Sequence, residues 1–169
     1  MATILPIAQF GNKILECKSL PVENIDQEVL DLLNDMVETM SISKGLGLAA
    51  PQVSRLLRVI VVKDNIIKKM INPTICDSKG KAIIPEGCLS IPGIQLNINR
   101  ASSIVIKYIN EDGKEKTEKL TSMAARIVQH EIDHIDGKLI LDHLSPNDRK
   151  LVVESIMDAW RKRIGSGIF

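Results

Sequence analysis

At 169 residues the chain has the length of one domain and buries roughly two-thirds of the surface its unfolded form exposes, so it needs neither disulfides nor a partner subunit to fold. Its 44% hydrophobic and 25% charged residues are those of a globular protein and exclude a disordered or collagen-like chain. With 22 Lys and Arg against 21 Asp and Glu, and only two Phe, one Tyr and one Trp, neither direct DNA binding nor a base-stacking surface nor an anionic membrane is expected.

The opening MATILPIAQFGNK has no basic region ahead of an apolar stretch, and no run approaches the roughly twenty apolar residues of a membrane span. Cys17, Cys76 and Cys88 are odd in number and irregularly spaced, which suits a reducing compartment better than a disulfide framework. A soluble cytoplasmic protein is expected. Val29, Leu30, Leu32, Leu33, Met36, Val37 and Met40 recur at helical spacing and predict an amphipathic helix over Asp26–Met40, with Asp26 as its N-cap. Arg58–Lys63 and Met70–Cys76 are short Val- and Ile-rich strands. Between them and the next strand, Gly and Pro in PEGCLSIPG, Pro85–Gly93, predict irregular chain. Ile104–Ile109 is a strand, Asn110–Gly113 a turn, and Lys114–Leu120 the returning strand of a hairpin. Helical signal resumes over Thr121–Asp136, with Gly137 placed for a left-handed C-terminal residue. A last helix follows Ser145 and Pro146, its packed side marked by Leu151, Val152, Ser155, Ile156 and Trp160. Strands in the middle and helices towards both ends predict an α+β fold.

The sharpest chemical signal is HEIDH, His130–His134, on a segment that reads as helix independently. Side chains four apart lie one above the other, so His130 and His134 can hold one metal ion, with Glu131 beside them to carry a proton from a bound water. A catalytic site of this kind needs a third protein ligand. Cys88 is the candidate, its alternative being a small buried hydrophobe or a spare thiol, the reading given to Cys17 and Cys76. GLGLAAPQ, Gly45–Gln52, contains G-x-G-x-x-A, but a helix precedes it and Pro51 follows, which contradicts a dinucleotide fingerprint. Gly45 and Gly47 instead permit close backbone approach, and Gln52 offers an amide that either donates to an oxyanion or is satisfied within a tight loop.

Together, GLGLAAPQ, EGCLS and QHEIDH, in this order, resemble the three signature motifs of the peptide deformylase family. The likeness extends to ILPIAQFGNKIL, INPTI, Arg100 and IDGKLILDHLS, and so covers nearly the whole chain. It implies a single catalytic metallohydrolase domain over residues 1–169, with mixed or antiparallel sheets packed around a central metal-binding helix. It implies one divalent ion, Fe(II) first and Zn, Ni or Co otherwise, held by Cys88, His130 and His134. Glu131 would serve as general base and then acid in removing the formyl group from N-terminal formyl-methionine of newly made polypeptides. Gln52 and the backbone N–H of Leu89 would meet the oxyanion, Gly45, Leu46 and Gly47 would line the substrate cleft, and Met123, Arg126 and Ile127 would form the methionine pocket.

Departures from the family pattern are modest. Ser54 and Ser122 stand where glycine is usual, Ile135 replaces a common Leu, and Gly11, Asn12 and Lys13 replace G-D-P. None removes a ligand. Asp133 and Arg100 are candidates to support each other behind the ligands. An ordinary metallopeptidase and a catalytically silent peptide-binding protein are the alternatives. Family members act on chains leaving the ribosome, so the C-terminal Arg149, Lys150, Arg161, Lys162 and Arg163 suggest a transient ribosome contact, against the plainer reading of a solvated helix face.

Overall fold

In the computed structural model, which describes residues 2–165, the chain opens with a 3-10 turn at Lys13–Glu16. Asn12 caps it by accepting from the Ile14 amide at 3.2 Å, so the departure from the family's G-D-P keeps a capping side chain. Helix α1 spans Gln27–Ile42, and Asp26 caps it by accepting from the Val29 amide at 3.0 Å, as its place in the sequence predicts. Then come β1 (Gly47–Ala49), a 3-10 turn at Ala50–Val53, β2 (Val59–Lys63), β3 (Ile67–Lys79), β4 (Ala82–Cys88) and β5 (Ile91–Arg100). Strands β6 (Ser103–Ile109) and β7 (Glu115–Thr121), helix α2 (Ser122–Ile135), a 3-10 turn at Ile140–His143 and helix α3 (Pro146–Gly165) complete the order.

Five strands pair in the order β1-β2-β3-β6-β7, all antiparallel, while β4 and β5 form a separate antiparallel pair inserted between β3 and β6. The large sheet is covered on both faces, which accounts for the unbroken apolar run of β2. Val59 and Val61 pack with Leu33, Met36 and Met40 of α1, whereas Ile60 and Val62 pack with Ile127, Val128 and Ile132 of α2. The α+β expectation, the two long helices and the β6–β7 hairpin agree with this architecture. Gly113 takes φ +75° in the predicted turn and Gly137 takes φ +73° after α2.

Several details differ. The segment Pro85–Gly93 is not irregular: β4 runs through Pro85 to Cys88, Leu89 and Ser90 turn the chain, and β5 begins at Ile91. Proline is tolerated because β4 pairs on one side only and has a free edge. The period-two alternation of Ile94, Leu96 and Ile98 is the strand signal that the surrounding Gly and Pro concealed. Strand β3 extends beyond Met70–Cys76 at both ends and is broken in register near Asn72, which adopts φ +51° ahead of Pro73. On α3 the packed side is Val152, Val153, Ile156 and Trp160, with Leu151 and Ser155 turned outward. This side clusters with Ile91 and Ile98 of β5 and with Ile140 and Leu141 of the last 3-10 turn, and Trp160 lies with its ring centroid 6.3 Å from that of Phe10. Among the described residues no helix is long and apolar enough to cross a membrane.

Candidate active site

Helix α2 carries His130 and His134 one turn apart, their ring centroids 5.0 Å from each other. The end of β4 brings Cys88 to them, with Sγ 3.3 Å from His134 Nε2. One ligand atom from each of Cys88, His130 and His134 lies within 4.8 Å of the others. The other two cysteines, Cys17 and Cys76, are exposed, which fits spare thiols and not buried hydrophobes.

The donor set of one thiol and two imidazoles suits a single borderline-soft cation. Burial alone would raise the Cys88 thiol, but the neighbouring His134 charge and hydrogen bonds from both imidazoles hold it well below the usual thiol range. His130 is raised to about 10 against the effect of its burial, by hydrogen bonds to Cys88 and Glu86. Thiol and imidazole nitrogen are proton-binding positions, and a cation would compete with protons for them. Glu131 is buried beside them with Oε2 lacking any hydrogen-bond partner among the described residues. Its burial raises the carboxyl to about 7, although both histidines pull in the opposite direction. A buried carboxylate oxygen facing the ligand cluster with nothing bound to it fits an ion and its water.

Gln52 lies in the 3-10 turn after β1, with both ends of its amide bonded. Its Oε1 accepts from the Ala49 amide at 2.9 Å, which turns Nε2 towards Ser90 Oγ at 3.2 Å and Cys88 Sγ at 3.8 Å. The NH₂ group is therefore presented at the ligand cluster by a fixed carbonyl rather than by chance. Gly47 explains the glycine motif in another way. A Cβ built there would lie 2.8 Å from Glu131 Cδ, so β1 and α2 approach too closely for any side chain. At Gly45 a Cβ would lie 2.8 Å from Leu89 Cδ1.

A cavity of about 680 Å³ opens beside the cluster. Gly45, Leu46, Gly47, Gln52, Leu89, Met123, Arg126, Ile127, His130, Glu131 and Cys88 all line it, while His134 lies behind its wall. The structure thus brings together every candidate site residue. Arg126 lines the cavity while its guanidinium is buried and bonded to Glu86 and to the carbonyls of Ala82 at 2.5 Å and Ile98 at 2.9 Å.

Glu86 is the functional residue that sequence reasoning passed over. Its Oε2 meets His130 Nδ1 at 3.1 Å, and it receives Arg100 Nε at 2.7 Å and Arg100 Nη2 at 3.0 Å. Arg100 also donates to Asp133 at 2.7 Å, the pairing considered from the sequence, and Asp133 is joined by His143 at 2.7 Å. Burial would raise Glu86, but the bonds from His130 and Arg100 hold it down to about 2. An ionised Glu86 on Nδ1 orients the ring and leaves Nε2 for an ion. The available signal was its position two residues before Cys88, on the same face of a strand that was read as loop.

Comparison with known proteins agrees with this geometry. A family model described as polypeptide deformylase matches residues 4–150. A peptide deformylase of Chlorobium phaeovibrioides is 39% identical over 95% of this chain and 89% of its own, and one of Dictyoglomus thermophilum is 48% identical over 82% and 92%. The crystal structure of a peptide deformylase from Legionella pneumophila superposes with a TM-score of 0.90 at 34% identity, covering 96% of this chain and 98% of that one.

Proposed function

Since the chain belongs to the peptide deformylase family, metal-dependent hydrolases that remove the formyl group from N-terminal formyl-methionine, we propose that its cavity seats that substrate and that the residues around it divide the reaction as follows. The activity itself is hydrolysis of the formyl amide of newly synthesised polypeptides, with release of formate. Cys88, His130 and His134 hold one divalent ion, which when bound supplies Lewis acidity at the formyl oxygen and makes a water more acidic.

Glu131 takes a proton from the attacking water as the water oxygen bonds to the formyl carbon. Negative charge then gathers on the formyl oxygen, where Gln52 Nε2 and the Leu89 backbone N–H donate to it. Glu131 returns the proton to the methionine nitrogen as the C–N bond breaks, giving formate and a free amine. Gly45, Leu46 and Gly47 run beside the peptide backbone. Met123, Ile127 and the stem of Arg126 receive the methionine side chain. Fe(II) is the proposed ion, with Zn, Ni or Co able to use the same donors.

The observation that carries this division is the buried Glu131 carboxylate, with Oε2 unbonded beside a thiol and two imidazoles within 4.8 Å of one another. Formate release from a short formyl-Met peptide by metal-loaded protein is expected to collapse in Glu131→Ala while the metal stays bound. Undiminished release would remove Glu131 from its role.

The proposed location is the cytoplasm, where formylated nascent chains emerge. Arg149, Lys150, Arg161, Lys162 and Arg163 outnumber Asp148, Glu154 and Asp158 beyond Ser145, which supports a transient ribosome contact. The Arg163 side chain lies outside the described residues. Reversing the charges of Arg161, Lys162 and Arg163 should weaken co-sedimentation with ribosomes at low salt; unchanged co-sedimentation would dismiss the contact.

A further inference from the structure

The β4–β5 pair that carries Cys88 shares no strand ladder with the five-stranded sheet. It packs on Ile156 and Trp160 of α3 through apolar contacts, which are not directional. Its open end is joined to β3 through Gly80 and Lys81 and to β6 through Ala101 and Ser102, and directional bonds to α2 fix the pair along that helix. Residues 126, 129, 130 and 133 of α2 fall at i, i+3, i+4 and i+7, one helical face, and each bonds to the pair or to its immediate exit. Gln129 accepts from the Ala101 amide at 3.1 Å and donates to the Ala101 carbonyl at 2.9 Å. His130 meets Glu86 and Asp133 meets Arg100, as described above. Arg126 makes the most of these contacts. It binds the Ala82 carbonyl on β4 and the Ile98 carbonyl on β5, reaches the Ile84 carbonyl at 3.5 Å, and pairs with Glu86 two residues from Cys88.

We propose that Arg126 is a positioning residue for the metal-binding thiolate: its guanidinium fixes where the β4–β5 pair sits along α2, and so where Cys88 stands relative to His130 and His134. The proposal rests on the reading that these three residues hold the ion. The fork geometry matters, because only a planar guanidinium spans acceptors on two strands and a carboxylate at once. The remaining bonds of the stripe hold the exit of β5 and the centre of β4. Among the hydrogen bonds of the described residues, Arg126 is the one that ties the start of β4, at Ala82, to α2.

The test uses Arg126→Met, which keeps an apolar stem towards the cavity, and Arg126→Lys, which keeps a charge but not the fork. Each protein is loaded with Co²⁺, and the thiolate-to-cobalt charge-transfer band and the rate of Co²⁺ release to a chelator are recorded. Arg126→Met is expected to release the ion roughly 10–100-fold faster with a weakened or shifted band, and Arg126→Lys to fall between it and the parent protein. If Arg126→Met does not fold, Arg126→Lys carries the same readouts. Folded variants with the parent's band and release rate, whatever their thermal stability, would reduce Arg126 to a structural residue and overturn the proposal. A parent protein with no thiolate band would instead overturn the ligand assignment, and this proposal with it.

Discussion

Gly47 and Glu131 show how a single missing atom shapes the chemistry. The glycine fits because the Glu131 carboxylate occupies the space its Cβ would fill. Gly47→Ala should push the Glu131 side chain out of line and lower kcat/KM by roughly 10²-fold or more, the usual scale for a misplaced proton carrier, with the metal content unchanged. Parent-like kinetics would mean that the extra methyl is accommodated. At this scale the sequence told much about the ligands and little about what holds them. Two histidines at helical spacing announce themselves, whereas Glu86 is defined by partners drawn from residues 100, 126 and 130, which no local pattern brings together.

Among the elements, two substitutions relative to the family gain a physical meaning. Ser54 adopts φ +61° and Ser122 adopts φ +52°, both left-handed, and both side chains are exposed. Glycine is usual at these places because it enters this region without a Cβ clash. Ser54→Gly and Ser122→Gly should each stabilise the protein by about 1 kcal/mol, and together nearly additively, since the clash removed outweighs the greater freedom gained by the unfolded chain. Urea unfolding checks this, and a loss of stability in either would show that the serine makes a compensating contact. The same local logic made α1, α2 and the β6–β7 hairpin readable. It failed at β4–β5, where Pro85, Gly87 and Gly93 argue for loop while the pairing of two free-edged strands tolerates them.

At the scale of the whole molecule, the buried charge among the described residues gathers where the second sheet meets α2. Glu86, Arg100, Arg126 and Asp133 pair two carboxylates with two guanidiniums, and His130 and His143 join them at Glu86 and Asp133. Glu86 titrates at about 2, below its ordinary 4.5, so its contribution to stability is present above pH 4.5 and is lost as pH falls towards 2. Glu86→Gln should therefore cost about 3 kcal/mol at pH 7, and the gap from the parent should close between pH 4.5 and 2. A gap that stays constant across that range in metal-stripped protein would show that the loss comes from packing rather than from the charge.

The order of the strands gives the ligand cluster one more property. Cys88 and His134 are 46 residues apart in sequence, and the chain between them contains β5, β6 and β7, the outer part of the large sheet together with half of the small one. An ion joining them is a cross-link that closes a long loop, and such closures act by depriving the unfolded chain of conformations. The unfolding midpoint would thus follow the free concentration of the ion, making occupancy of the catalytic centre and persistence of the fold a single, linked equilibrium.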